Sequence, residues 1–293
     1  MPIPDHDPLV VAPMPTPFRE YGAVDLDATS RNIERWLAMP LSGFVLGTAN
    51  GEELALGEDE KVQIVRAVSI AAAGARLVMA GIDVPSASET LRLAEQYAGA
   101  GADLVRVRIP RGLTAKSVEA YYSEVAGRSP LPVVVIHQTF GAHPAAPPEV
   151  IGRICELDNV FGYITDHDIR FEGWVRPHVP TDRRFWICNG GLLAYGMLLG
   201  ANGACMWLGN VAPALCMDVV RAGYEDNFGE ARRLQATASF LDREIGQFGV
   251  AGVKAALAML GYEMSGPRAP WPDVTPEQRK VIENALRRAG LLG

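Results

Sequence analysis

Asp166, His167 and Asp168 put three titratable side chains in a row. Such a row can supply an acid, a base or metal ligands. They leave an apolar, β-branched run from Val160 to Thr165, the way a buried parallel strand delivers side chains to the mouth of a sheet. Local sequence equally allows a polar loop in which Asp168 caps a helix over 169–176.

Other stretches carry comparable chemistry. Gly47-Thr48-Ala49-Asn50-Gly51-Glu52 has glycines that free the backbone to offer N–H groups to an anion, with Thr48 and Asn50 as side-chain donors; a tight turn would look the same. Val105-Arg106-Val107-Arg108 alternates apolar and cationic residues, with Arg111 just beyond Pro110. On a strand both Arg106 and Arg108 share one face. An arginine inside a barrel needs an anionic partner, and a substrate carboxylate, Glu52 and Asp166 are the candidates. His137 can act as acid or base, or be a satisfied structural residue. With His143, His167 and the two aspartates it can be imagined as a metal site, but these residues lie on different loops without ligand spacing, so no metal and no cofactor are expected. Asn189-Gly190-Gly191 and Gly209-Asn210 suit close approach of backbone to a ligand, or turns alone.

The elements that must position these residues follow from periodicity. Short apolar runs at 9–13, 43–47, 77–81, 104–109, 133–137, 160–165, 184–188 and 203–208 alternate with helical patterns. Ser86 with Glu89 forms a capping box, and Pro147-Pro148-Glu149 opens a helix. Eight βα units in about 220 residues predict a closed (β/α)8 TIM barrel, and an open doubly wound sheet is disfavoured because no GxGxxG follows the first strand. After strand eight the pattern is helical only, at 213–221, 227–248, 252–260 and 275–289, with the proline-rich 266–272 as an extended linker. The expected organisation is a barrel over 1–223 and a C-terminal helical region over 224–293.

Composition narrows the partners. The 293 residues are 48% apolar with a formal charge of -7, and without a basic cluster neither nucleic acid nor an anionic membrane is favoured. A small molecule is the expected partner. Cys155, Cys188, Cys205 and Cys216 show no CxxC spacing and read as buried thiols of a reducing compartment. No apolar run nears the ~18 residues that span a bilayer, and the N-terminus lacks a signal-peptide pattern, so a cytoplasmic, unprocessed protein is expected.

The chain resembles the dihydrodipicolinate synthase and N-acetylneuraminate lyase family. Ala12-Pro13-Met14-Pro15-Thr16-Pro17-Phe18 resembles that family's opening, and Gly47 to Glu52 its Gly-Thr-Thr-Gly-Glu pyruvate loop. Gly209-Asn210-Val211-Ala212-Pro213 resembles its eighth-strand end, and Gly252-Val253-Lys254-Ala255-Ala256-Leu257 its C-terminal helix. The resemblance spans 9–292 and implies a homotetramer, or at least a homo-oligomer, of (β/α)8 barrels acting on pyruvate or another 2-oxo acid through a lysine Schiff base.

Several family positions differ. The family's Gly-x-Lys pattern on strand six reads Gly162-Tyr163-Ile164 here, with Ile164, or Thr165 after a one-residue slip, in the lysine's place. Neither can form an iminium. The family tyrosine after strand five falls at Ile136 or His137, the following arginine has no match in 138–141, and Pro-Tyr-Tyr after strand four reads Pro110-Arg111-Gly112. Arg106, Arg108 and Arg111 can replace the lost clamp and His137 the tyrosine. Two function classes follow. One is a lyase that activates a 2-oxo acid or related small carboxylate without an imine, with His137, Thr165, Asp166 and His167 as catalytic candidates. Its binding candidates are Thr48, Asn50, Gly51, Glu52, Arg106, Arg108, Arg111, Asn189, Gly209 and Asn210. The other is a non-catalytic barrel that binds a carboxylate or regulates a partner.

Overall fold

Eight apolar runs become eight parallel strands: β1 (Leu9–Pro13), β2 (Gly43–Leu46), β3 (Leu77–Ile82), β4 (Leu104–Arg108), β5 (Val133–Ile136), β6 (Val160–Ile164), β7 (Arg184–Ile187) and β8 (Gly203–Cys205). Each pairs with the next, and β1 pairs with β8 through Leu9–Gly203 and Val11–Cys205, which closes the barrel. The structure, a computed structural model, describes residues 8–84, 86–110, 112–137, 145–166 and 168–293.

Helices α1 (Leu26–Leu37), α2 (Glu58–Ala72), α3 (Ala87–Ala100), α4 (Ala115–Arg128), α5 (Pro148–Cys155), α6 (Ile169–Val175) and α7 (Leu193–Leu198) fall between successive strands. A short turn, α8 (Leu208–Val211), and α9 (Pro213–Tyr224) follow β8. The chain then continues as α10 (Phe228–Gly246), α11 (Gly249–Met259) and α12 (Pro276–Arg288), with α10 packed on α9, α11 and α12. Among the described residues, no helix is long and apolar enough to cross a membrane.

Strand alternation sorts the core into two compartments. Residues such as Val10, Phe44, Val107 and Tyr163 face the helix layer, while Leu9, Val45, Met79, Leu104, Val134, Ile164 and Trp186 fill the axis. The axis is thus a packed apolar core, and in barrels of this kind sites lie at the C-terminal ends of the strands.

Two boundaries differ from the sequence reading. The run 203–208 is strand only to Cys205. Asn210 Nδ2 donates to Pro13 O at 2.8 Å and Trp207 O at 3.0 Å, and Gly209 N donates back to Met206 O at 3.2 Å. These bonds turn the chain into α8, so Gly209 and Asn210 lie in a helical turn and not at a strand end. Helix α11 starts at Gly249 and not at 252, because Gly249 takes a positive φ of 57° that lets the chain reverse straight out of α10.

The C-terminal helices are bracketed to the barrel at two places. Trp36 of α1 donates Nε1 to Asn210 O at 3.0 Å and stacks on Tyr262 with ring centroids 4.5 Å apart. Lys254 of α11, 1% exposed, donates to Glu52 Oε1 at 2.7 Å and lies 4.5 Å over the Phe18 ring.

Candidate active site

The mouth is organised by β4. Leu104 lies on the axis, and the period of two puts Arg106 and Arg108 on the same inward face, 3% and 2% exposed. Space for the first guanidinium comes from β3. Gly81 is the register partner of Arg106, and a Cβ there would lie 3.0 Å from Arg106 Nη2 and 2.6 Å from Gly47 O.

Arg108 is the better partnered of the two. It donates Nη2 to Glu53 Oε1 at 3.0 Å and Nη1 to Asp83 Oδ2. Arg106 has an ion pair with Glu53 Oε2 at 3.8 Å, too long for a hydrogen bond. Its Nε and Nη2 have no hydrogen-bond partner among the described residues, and neither does the buried hydroxyl of Thr48 at the end of β2. Burial and the neighbouring Arg108 charge lower the Arg106 pKa from its ordinary value. An inward-facing guanidinium with idle donors lines the barrel, and the loop after β2 adds an idle hydroxyl; either can serve an anion.

This pairing corrects the sequence reading, which offered Glu52 or Asp166 as the arginines' protein partner. A left-handed residue separates the two neighbouring glutamates. Glu52 has φ 61°, which turns its carboxylate away to Lys254 Nζ and to Arg268 N at 2.8 Å, while Glu53 turns inward to β4. Glu52 is therefore a clamp between the β2 loop and the C-terminal helices. Glu53 and Asp83 were missed in the sequence. Asp83 had a signal: Leu77, Met79, Gly81 and Asp83 lie on one face by the period of two.

Asp166 stands just past the end of β6. Its side chain hydrogen-bonds the Cys188 thiol and feels both Arg106 and Arg108. Burial raises its pKa to about 6 against the opposing pull of the arginines and the Cys188 bond. Its backbone N donates at 3.1 Å to Glu172 Oε1, and Glu172 also accepts from Tyr163 Oη at 3.1 Å, so the segment is held from below. Cys188 is not in purely apolar surroundings, as the sequence suggested. Burial first, and Asp166 next, push its thiol well above the ordinary value.

The remaining candidates are those with a described placement and those outside the described residues. Thr165 is buried, and its Oγ1 accepts from Cys188 N at 3.2 Å, joining β6 to β7. His137 accepts Ala145 N on Nε2 at 3.1 Å and packs edge-on against Phe171, which fits a structural anchor for the chain after β5. Asn50 is half-buried in the turn after β2. Gly51 offers its carbonyl to Thr16 Oγ1 at 2.8 Å, and a Cβ there would lie 3.0 Å from Met14 O. Asn189 is exposed and caps its own turn through Gly191 N at 2.8 Å. Asp168 accepts from Arg170 N and Phe171 N, the helix cap that the sequence allowed. His167, Arg111 and His143 lie outside the described residues. Among the described residues, no group of three or more His, Cys, Asp or Glu is placed to hold a metal ion.

A closed parallel (β/α)8 barrel with C-terminal helices and a polar mouth at the strands' C-terminal ends defines a class of fold that hosts many chemistries. The dihydrodipicolinate synthetase family model matches residues 8–289, and the chain belongs to that family. It is 30% identical over 296 aligned positions to an uncharacterized DapA-like lyase of Halobacterium salinarum, covering 98% of this chain and 96% of that one. It is 26% identical over 284 positions to a 4-hydroxy-tetrahydrodipicolinate synthase of an Exiguobacterium species, covering 95% and 97%. A solved structure described as the first monomeric dihydrodipicolinate synthase variant superposes with a TM-score of 0.92 at 23% identity, over 100% of this chain and 99% of that one.

Proposed function

We propose that this protein is a lyase acting on a 2-oxo acid or a related small carboxylate without a lysine imine. The observation that carries the reading is Arg106, an almost wholly buried guanidinium with two idle N–H donors among the described residues, close to Asp166. The sequence holds four lysines, Lys61, Lys116, Lys254 and Lys280, and these belong to α2, α4, α11 and α12. Ile164 occupies the axial position on β6.

In this reading Arg106 and the Thr48 hydroxyl take the substrate carboxylate. Asp166 removes a proton from the carbon beside the 2-oxo group, and the electron pair moves onto the carbonyl oxygen as an enolate. The arginine charges stabilise that oxygen in a site of low dielectric. That carbon then bonds to the carbonyl carbon of an aldehyde co-substrate, whose oxygen takes the proton back from Asp166, and cleavage runs the same steps in reverse. A carboxyl with pKa about 6 is suited to both directions near neutral pH. Self-association belongs to the same proposal, although the monomeric relative means that the fold does not demand it.

Binding and turnover of a 2-oxo acid and hydroxy acid panel, measured on wild type and Arg106→Met, test the reading. Expected are loss of pyruvate binding in the variant by at least about tenfold, equivalent to one lost charge-assisted bond, and no borohydride-trapped adduct on any lysine. A mass increase on a lysine after pyruvate and borohydride overturns it. Binding without turnover of any panel member would leave the non-catalytic carboxylate-binding barrel.

A further inference from the structure

A second space opens beside the β4 arginines, and its walls are unlike the axial site. It encloses about 460 Å³, within the roughly 300–1,000 Å³ usual for small-molecule sites. Its floor is the Arg108, Glu53 and Asp83 cluster. Its walls come from three separate parts of the chain: Leu54 and Ala55 after β2, Phe248 and Val250 at the start of α11, and Pro267 and Trp271 ahead of α12.

Leu54 and Trp271 are 85% and 57% exposed. Two large apolar side chains left in water at one recess mark a place where apolar surface is to be covered. The charge on the floor is already answered, since Arg108 faces two carboxylates, so the recess does not call for a second anion. It adjoins the anion position through Glu53, which lines the recess and stands 3.8 Å from Arg106.

We propose that this recess takes an apolar arm of the substrate, a branched aliphatic or aromatic group remote from the carboxylate held at Arg106. The inference rests on the carboxylate reading above and narrows it. The substrate class is a 2-oxo acid with a hydrophobic tail, because the walls away from the charged floor are Leu, Phe, Val, Pro and Trp side chains.

The test is calorimetric titration with pyruvate, 2-oxobutyrate, 4-methyl-2-oxopentanoate and phenylpyruvate. Wild type is expected to bind more tightly along the series, by about fourfold per buried methylene. Ala251→Phe, which fills the recess from α11, should weaken phenylpyruvate by at least about tenfold and leave pyruvate within about twofold. Trp271→Ala, at an exposed position that tolerates truncation, should weaken phenylpyruvate by a smaller factor. A flat series with pyruvate still bound overturns the inference alone. A flat series together with loss of self-association in Trp271→Ala overturns it in favour of a second copy of the chain as occupant. Failure of every acid to bind overturns both this inference and the carboxylate reading.

Discussion

Lys254 and Arg106 are both almost wholly buried cations, yet they are partnered in opposite ways. Lys254, outside the barrel wall and under the C-terminal helices, has a carboxylate at 2.7 Å and an aromatic face at 4.5 Å. Arg106, inside the wall, has one carboxylate at 3.8 Å and donors with no hydrogen bond among the described residues. A buried cation whose partners are all intramolecular acts as architecture, because losing either partner strands a charge. One that is under-partnered in the folded protein keeps its interaction free energy for a ligand. The same physics thus separates the Lys254 clamp from the proposed Arg106 site.

The largest effect should come from the clamp. Lys254→Met leaves the Glu52 carboxylate uncompensated in the interior, and denaturant unfolding should record a loss of about 3–5 kcal/mol. Adding Glu52→Leu should restore part of it. A loss under about 1 kcal/mol for the single variant would erase the contrast.

Arg108 sharpens the comparison from within the mouth. Arg108→Met should lower stability by about 2–3 kcal/mol, less than the clamp, because Asp83 is 31% exposed and Glu53 retains Arg106. Arg106→Met should fall well below Arg108→Met on the same unfolding measurement. Equal losses would place both arginines on the architectural side.

A pH dependence tests the mouth from its carboxylate side. Asp166 has a folded pKa of about 6, above its ordinary 3.8, so the proton is bound more tightly in the folded state. Its contribution is fully present below about pH 4 and lost as pH rises through 6, a change of about 3 kcal/mol. Asp166→Asn should flatten that part of the stability profile. Turnover by ionised Asp166 should instead rise through the same range. A stability profile identical in wild type and Asp166→Asn would show that the carboxyl is not held in a low-dielectric mouth.

The barrel was legible because each strand is short, apolar and bounded by turn chemistry, and because the period of two survives any tertiary context. That period also placed Arg106 and Arg108 on one face, since side-chain direction along a strand needs no knowledge of neighbours. The axial position of Ile164 was offered only by the family resemblance, which left Thr165 open as the alternative. Asp166 was legible as a strand-end carboxyl; its shift to about pH 6 was not, because burial by remote segments causes it, against the pull of two arginines from another strand.

Sequence by itself determined which residues could be charged, which face of each strand they share and where regular structure begins. Only the tertiary structure decided which carboxylate meets which cation. Glu52 and Glu53 are adjacent in the chain, and nothing local distinguishes them. The left-handed turn at Glu52 sends one carboxylate to Lys254, 202 residues away, and the other to Arg108, 55 residues away. Pairing of buried charges depends on distances between remote segments, and those distances exist only once the barrel has closed and the C-terminal helices have docked.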